Sequence, residues 1–264
     1  MKRLFKNGLE VLQFEHPGFE GCIHGFFTRK GGVSTGQWSS LNQGGTVGDD
    51  RLHTVENRKR AFTFFDRKVE SIYDVWQVHG NTVICADKPR ELDFPHVKAD
   101  AILTDKPELT LFMRFADCVP ILLIEPGKKI IGAIHAGWKG TVNNIIQDAI
   151  NSMQQHYGVN PDDLVAGIGP SIGPDHYIVG EEVHTMASKT FGADLDQVIT
   201  IVNGKIHFNL WRANEYLLEK AGVKAIECAR ICTACNLEDW YSHRAENGAT
   251  GRFGALIALG DNHA

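Results

Sequence analysis

The chain has 264 residues, 43% of them hydrophobic, and a formal net charge of −5 at pH 7, enough to bury a sizeable core in one large domain. Its charge is spread without long single-sign runs, which leaves no clustered basic face for nucleic acid or an anionic membrane and points to a small or neutral partner. Six cysteines are too sparse for a disulfide scaffold in a chain this long, and Lys6, Asn7, Glu10 and Gln13 interrupt any signal-peptide core, so a reducing, cytoplasmic setting is expected.

No repeat, low-complexity tract or long Pro/Gly/Ser linker divides the chain, so residues 1–264 are expected to form a single domain. Gly-rich "TRKGGVSTGQWSSLNQGGTVGDD" (Thr28 to Asp50) reads as a long polar loop, and "RLHTVENRKRAFTFF" after it has helical spacing. Short β-branched runs bounded by turn residues follow as strands: "NTVICA", "ADAILTD", "LTLFMRF", "VPILLIE" and "KIIGAIH". "TVNNIIQDAINSMQQHYG" reads as an amphipathic helix with Ile145, Ile146, Ala149 and Met153 on one face and Gly158 at its C-terminal end. A strand ("DLVAGIG"), two helices ("GEEVHTMASKTFG", "LWRANEYLLEKAG") and closing strands ("AIECARI", "RFGALIAL") complete the pattern. Strands early and helices later predict an α+β fold, layered with mixed β-sheets, and not a doubly wound one.

Three segments share one design. "WQVHGN" presents His79 just before a strand, "FADCVPILL" presents Cys118 just before another, and "IHAGWKG" presents His135 just after a third. The separations, 39 residues from His79 to Cys118 and 17 on to His135, fit adjacent strands whose ends meet. Two imidazoles and a thiolate form a catalytic zinc ligand set, with the fourth tetrahedral position open. Taken singly, each histidine reads equally well as a loop or core residue, and Cys118 beside an apolar run as packing.

"WQVHGN", "ADCVPILL", "HAGWKG", "GPSIGPDHYIVGEEV" and "CTACNLEDWYSHRAENGATGR" resemble the signature blocks of the laccase-domain or polyphenol-oxidase family, whose members are regarded as zinc-dependent purine nucleoside phosphorylases. The similarity runs in order from "HGFFTRKGGVS" to "GATGRFGALIAL", nearly the whole chain. Carried over position by position, the family's metal ligands fall on His79, Cys118 and His135. The resemblance implies a single-domain layered α/β sandwich that phosphorolyses adenosine, inosine and methylthioadenosine with inorganic phosphate and also deaminates adenosine. Two departures bear on substrate preference: the family's "SLNL" reads "SLNQ" here (Ser40 to Gln43), and its paired arginines are reduced to Arg244 in "SHRAEN".

The residues themselves suggest roles for such chemistry. Zinc would supply a water of lowered pKa for deamination, and Asp117, next to Cys118, is the candidate acid/base; it equally suits holding a ligand or a backbone amide, since neighbours on a strand point to opposite faces. Arg29, Ser40 and Asn42 in the glycine-rich loop, with Arg244 and Arg252 near the end, are candidate phosphate contacts, because guanidinium forks and hydroxyls suit phosphate oxygens; surface salt bridges and turn-forming polar groups are the competing reading. Trp76 and Trp138 flank the histidines and are placed either to stack on a purine or to shield the metal. "CTAC" (Cys232 to Cys235) lacks a second ligand pair at knuckle distance and reads as packing, and "GIGPSIG" lacks the Lys and Ser/Thr of a phosphate loop and reads as a tight turn.

Two other enzyme classes use the same residues. Cys118 and His135 would form the thiolate–imidazolium dyad of a hydrolase or deamidase, in which His79 has no role. Copper would also bind the trio under copper loading, as a polyphenol oxidase requires, but the twelve histidines include no His-x-His pair of the kind that builds multicopper sites.

Overall fold

A computed structural model of the chain describes residues 1–260. Two six-stranded sheets lie face to face. The first runs Lys2–Lys6, Leu9–Gln13, Cys22–Phe27, Phe253–Leu259, Thr110–Phe115 and Ile72–Tyr73, antiparallel except where its last strand pairs parallel. The second runs Ala225–Cys228, Val165–Ile168, Val119–Glu125, Ile130–Ala136, Ala101–Thr104 and Val83–Cys85; both its edge pairings are parallel, and its centre is antiparallel. A small third sheet joins Ile178–Val179, Lys205–Phe208 and Ile199–Val202.

The strand Val119–Glu125 shows why the order of layers follows from the sequence. Every residue in it is buried, and alternate side chains point to opposite faces. Val119, Ile121 and Leu123 join a cluster with Ile145, Ile146, Ala149, Val183 and Leu218, from the helices Ile145–Tyr157, Glu181–Phe191 and Leu210–Lys220. Leu122 and Ile124 join another with Leu12, Phe26, Phe253 and Ile257 of the first sheet. Burial on both faces is what turns a central strand into an unbroken apolar run. The outer face of the first sheet is covered by the helix Arg51–Phe64 through Ala61, Phe62 and Phe64, its start capped by the Asp50 carboxylate, which accepts from Leu52 N. The result is the α+β layered sandwich with mixed sheets that the pattern predicts: helix, sheet, sheet, helices.

Two details differ from expectation. The stretch read as one helix from Thr141 is broken: Trp138–Val142 ends before a left-handed Asn144 (φ 61°), and the amphipathic helix starts at Ile145, ending as expected at Gly158 (φ 62°). The three N-terminal strands and the third sheet carry no alternation strong enough to have been read. In "GIGPSIG", a Cβ on Gly169 would lie 2.4 Å from the Phe26 ring, so this glycine is where the facing sheets close on each other.

Candidate functional site

The second sheet's central hairpin builds the site. Ile131, Ala133 and His135 share the face that looks toward the first sheet, and His135 pairs across the ladder with Pro120, which brings it beside Cys118 at the mouth of the neighbouring strand. His79 arrives from a turn in which it adopts φ 60°. One donor atom from each of His79, Cys118 and His135 lies within 4.8 Å of the other two, and the two imidazoles are 4.8 Å apart at 74°. A Cβ on Gly137 would sit 2.9 Å from Cys118 Sγ and 3.0 Å from His79 Cδ2, so glycine is required here for the three to converge.

Asp100 organises the trio and has no signature in the sequence. Fully buried, it accepts His135 Nδ1 at 2.8 Å and the backbone N–H groups of His79 and Gly80 at 3.0 and 2.7 Å. With Nδ1 engaged, His135 has Nε2 left for the site, the arrangement by which carboxylates fix the tautomer of a metal-binding histidine. Burial pushes the Cys118 thiol up, but His135 and then His79 more than offset it, and the thiol is brought down to about 6. His135, which burial pulls down, is raised to about 9 by Cys118 and Asp100. Two imidazoles and an acidic thiol, converging at coordination range and backed by a carboxylate, fit a tetrahedral divalent ion with an open position.

The trio lines a cavity of about 680 Å³, within the range of small-molecule sites. Trp76, Trp138 and Tyr177 also line it. Four guanidinium groups line it as well, those of Arg58, Arg114, Arg244 and Arg252, together with the His96 ring. Two of these groups are braced by the fully buried Asp74, which receives Arg114 at 2.9 Å and His96 Nε2 at 3.1 Å as well as Arg90 Nε at 2.7 Å. Burial pushes the Asp74 carboxyl up, but His96, Arg114 and Arg58 hold it well below the usual carboxylate range. Arg58 differs from its neighbours. Its Nε is buried with no hydrogen-bond partner among the described residues, and burial together with Arg114 lowers the guanidinium to about 10.

The other residues singled out from the sequence divide sharply. Arg244 and Arg252 line the cavity; Arg244 donates to Ile178 O at 2.7 Å and stacks over Tyr177, and Arg252 donates to Gly251 O at 2.8 Å. Arg29, Ser40 and Asn42 do not line it. Arg29 is spent on Ser39 O, Leu237 O and Glu246, over the Tyr241 ring. Ser40 Oγ donates to Arg29 O. Asn42 donates to Asp49 and Gly44 O and accepts from Gly44 N and Arg252 N, which fills its capacity. The structure places these three in the glycine-rich loop, outside the lining of the cavity that holds the trio. Asp117 lines the cavity, and its carboxylate accepts Thr233 Oγ1 at 2.7 Å and Arg244 N at 2.6 Å, both from the C-terminal segment. Gln43, the departure in "SLNQ", is fully buried and is not part of the cavity lining, although Gly44 beside it is. Arg58, Arg114 and His96 lacked any motif; only their convergence in space marks them.

Residues 23–260 match the model of the family described as multi-copper polyphenol oxidoreductase laccase. A protein of Deinococcus radiodurans named purine nucleoside phosphorylase is 37% identical, over 89% of this chain and 88% of its own. The Escherichia coli purine nucleoside phosphorylase YfiH is 30% identical, over 95% and 98%. The crystal structure of YlmD from Geobacillus stearothermophilus superposes with a TM-score of 0.92 at 32% identity, covering 98% of both chains. With the family's pattern matched across nearly its whole length and the same fold in a solved relative, this chain belongs to the multi-copper polyphenol oxidoreductase laccase family.

Proposed function

We propose that the chain is a zinc-dependent purine nucleoside phosphorylase, taking adenosine, inosine and methylthioadenosine with inorganic phosphate, and that it also deaminates adenosine in a reducing, cytoplasmic setting. One observation carries this reading: a two-histidine, one-cysteine donor set and four arginines, one with a buried Nε that has no partner among the described residues, line the same cavity of about 680 Å³. The names borne by its relatives support the same activity. All six cysteines are free, in keeping with a reducing compartment.

In phosphorolysis a phosphate oxygen attacks C1′ of the ribose, the bond from C1′ to the purine nitrogen breaks, and the base leaves with the electron pair and takes up a proton. Positive charge grows on the ribose, so the protein must hold the phosphate dianion close without drawing off its nucleophilicity. Arg58 brings a buried N–H with no partner among the described residues, and Arg114 and Arg252 bring guanidinium groups already braced by protein acceptors, which orients them before the anion arrives. Trp76, nearly half exposed at 48%, and Trp138 offer flat apolar faces to the base. His79, Cys118 and His135 would hold the ion, with Asp100 keeping His135 in the ligating tautomer. Bound there, zinc would supply a Lewis acid and a water of lowered pKa, the chemistry deamination needs.

A second reading has its own support. The depressed Cys118 thiol beside a raised His135 is the pairing of a nucleophilic dyad. Copper oxidase chemistry has weaker support, since no His-x-His pair is present. The readings separate in one assay of adenosine with and without phosphate. Phosphate-dependent release of adenine, alongside phosphate-independent formation of inosine, bears out the proposal; activity that survives metal removal and is lost on thiol alkylation supports the dyad.

A further inference from the structure

A second group of soft ligands lies outside the cavity. His176, Cys232 and Cys235 each offer a donor atom, and these lie within 4.8 Å of one another. His176 Nδ1 is 3.8 Å from Cys232 Sγ and 3.5 Å from Cys235 Sγ. In a tetrahedral zinc site with Zn–S of about 2.3 Å and Zn–N of about 2.1 Å, neighbouring nitrogen and sulfur ligands lie roughly 3.6 Å apart. Both spacings approximate that edge. A single ring N–H cannot serve two sulfurs well, whereas one cation can.

The surroundings favour a bound cation. Gly173 N donates to Cys232 Sγ at 3.2 Å, a bond that stabilises a thiolate. The Asp175 carboxylate lies 3.3 Å from His176 Nδ1 and is largely exposed, a negative charge beside the cluster. The two segments are fixed side by side without the cysteines, since Ser171 N donates to Ile231 O and Thr233 N to Ser171 O, both at 3.1 Å. Redox exchange fits less well. An active Cys-x-x-Cys pair draws its low thiol pKa from a helix N-terminus or neighbouring cations, and Cys232 to Cys235 lie in a turn that no helix follows.

We propose that His176, Cys232 and Cys235 form a second zinc site, separate from the cavity trio. Its place in the fold gives it a role: His176 precedes Tyr177, and Cys235 leads into the segment carrying Arg244, which donates to Ile178 O and stacks on Tyr177. A cation held by the three ligands clamps the two segments that make this rim of the cavity. The site does not depend on the proposed activity.

The test is zinc stoichiometry of the full chain, stripped of metal and kept reduced, with cobalt(II) as a spectroscopic probe. Wild type should bind two equivalents, Cys118→Ser one, Cys232→Ser/Cys235→Ser one, and the triple variant none. Cobalt in the Cys118→Ser protein should show sulfur-to-metal charge-transfer absorption, which His176→Gln weakens; this exposed single change serves if the double cysteine variant does not fold. Failure of the cavity site leaves the Cys118→Ser result unchanged, so the two claims fail separately. The proposal is overturned if the Cys118→Ser protein binds no zinc, if its cobalt complex lacks thiolate absorption, or if Cys232 and Cys235 resist reduction as a disulfide.

Discussion

His24 and His135 are equally buried, each 3% exposed, each on a strand of one of the two facing sheets, yet they titrate in opposite directions. His24 sits against Phe14 and Phe19, with Nε2 accepting from Phe14 N at 3.0 Å and Nδ1 against Cys22 O, and burial lowers it to about 4. His135 sits against Cys118 and Asp100 and is raised to about 9. Burial alone gives an inert, neutral core histidine; burial beside a thiol and a carboxylate gives a ligand or a base. The same contrast separates two arginines. Arg29 is satisfied by carbonyls and a carboxylate, and the buried Nε–H of Arg58 has no acceptor among the described residues.

The sharpest way to collapse the contrast is Cys118→Ala. It should abolish both phosphorolysis and deamination, and in the metal-free protein NMR titration should find His135 lower than in the metal-free wild type, because the thiolate that raises it is gone. Unchanged adenosine turnover would show that the thiol is mere packing. Asp100→Asn leaves the trio in place and removes the charge behind it, and loss of roughly 10–100-fold in zinc affinity or activity is expected, measured by competition with a chelator. Next in size, Arg58→Met should raise the KM for phosphate by about tenfold, as the loss of one charged hydrogen bond implies, with deamination spared. Arg29→Met should leave that KM within about twofold and instead lower stability by about 1–3 kcal/mol, read from urea unfolding.

His24 lies outside the lining of the cavity and sets a pH limit instead. Its folded pKa of about 4 lies below the unfolded value near 6.5, so the unfolded chain takes up the proton first. Stability is complete above pH 6.5 and declines as pH falls toward 4, by about 3 kcal/mol for this group. His24→Gln should flatten that part of the stability curve; an unchanged slope would remove the contrast with His135.

Much of this was legible before the fold. Strand-end punctuation by glycine and proline marked His79, Cys118 and His135, because a side chain placed where a ladder ends is bound to face the rim. The central strands were legible as continuous apolar runs, since both their faces are covered. Asp100 was not, because a carboxylate that orients a histidine 35 residues away has no local pattern. Arg58 sits on the helix Arg51–Phe64 among other basic residues and is told apart only by what fails to reach it. Arg29, Ser40 and Asn42 were ambiguous for the converse reason: the groups that suit phosphate oxygens also suit the carbonyls of a glycine-rich loop. "CTAC" read as packing because its third ligand, His176, lies 56 residues before Cys232.

The central claim is that the ion held by His79, Cys118 and His135 is what the activity depends on. The direct measurement is phosphate-dependent cleavage of adenosine by metal-stripped protein, before and after stoichiometric zinc, in wild type and in His79→Ala. The account predicts negligible activity when stripped, recovery with zinc in wild type, and none in His79→Ala. Full activity in the stripped protein, or full activity of His79→Ala, would contradict it and leave the Cys118–His135 dyad as the working site.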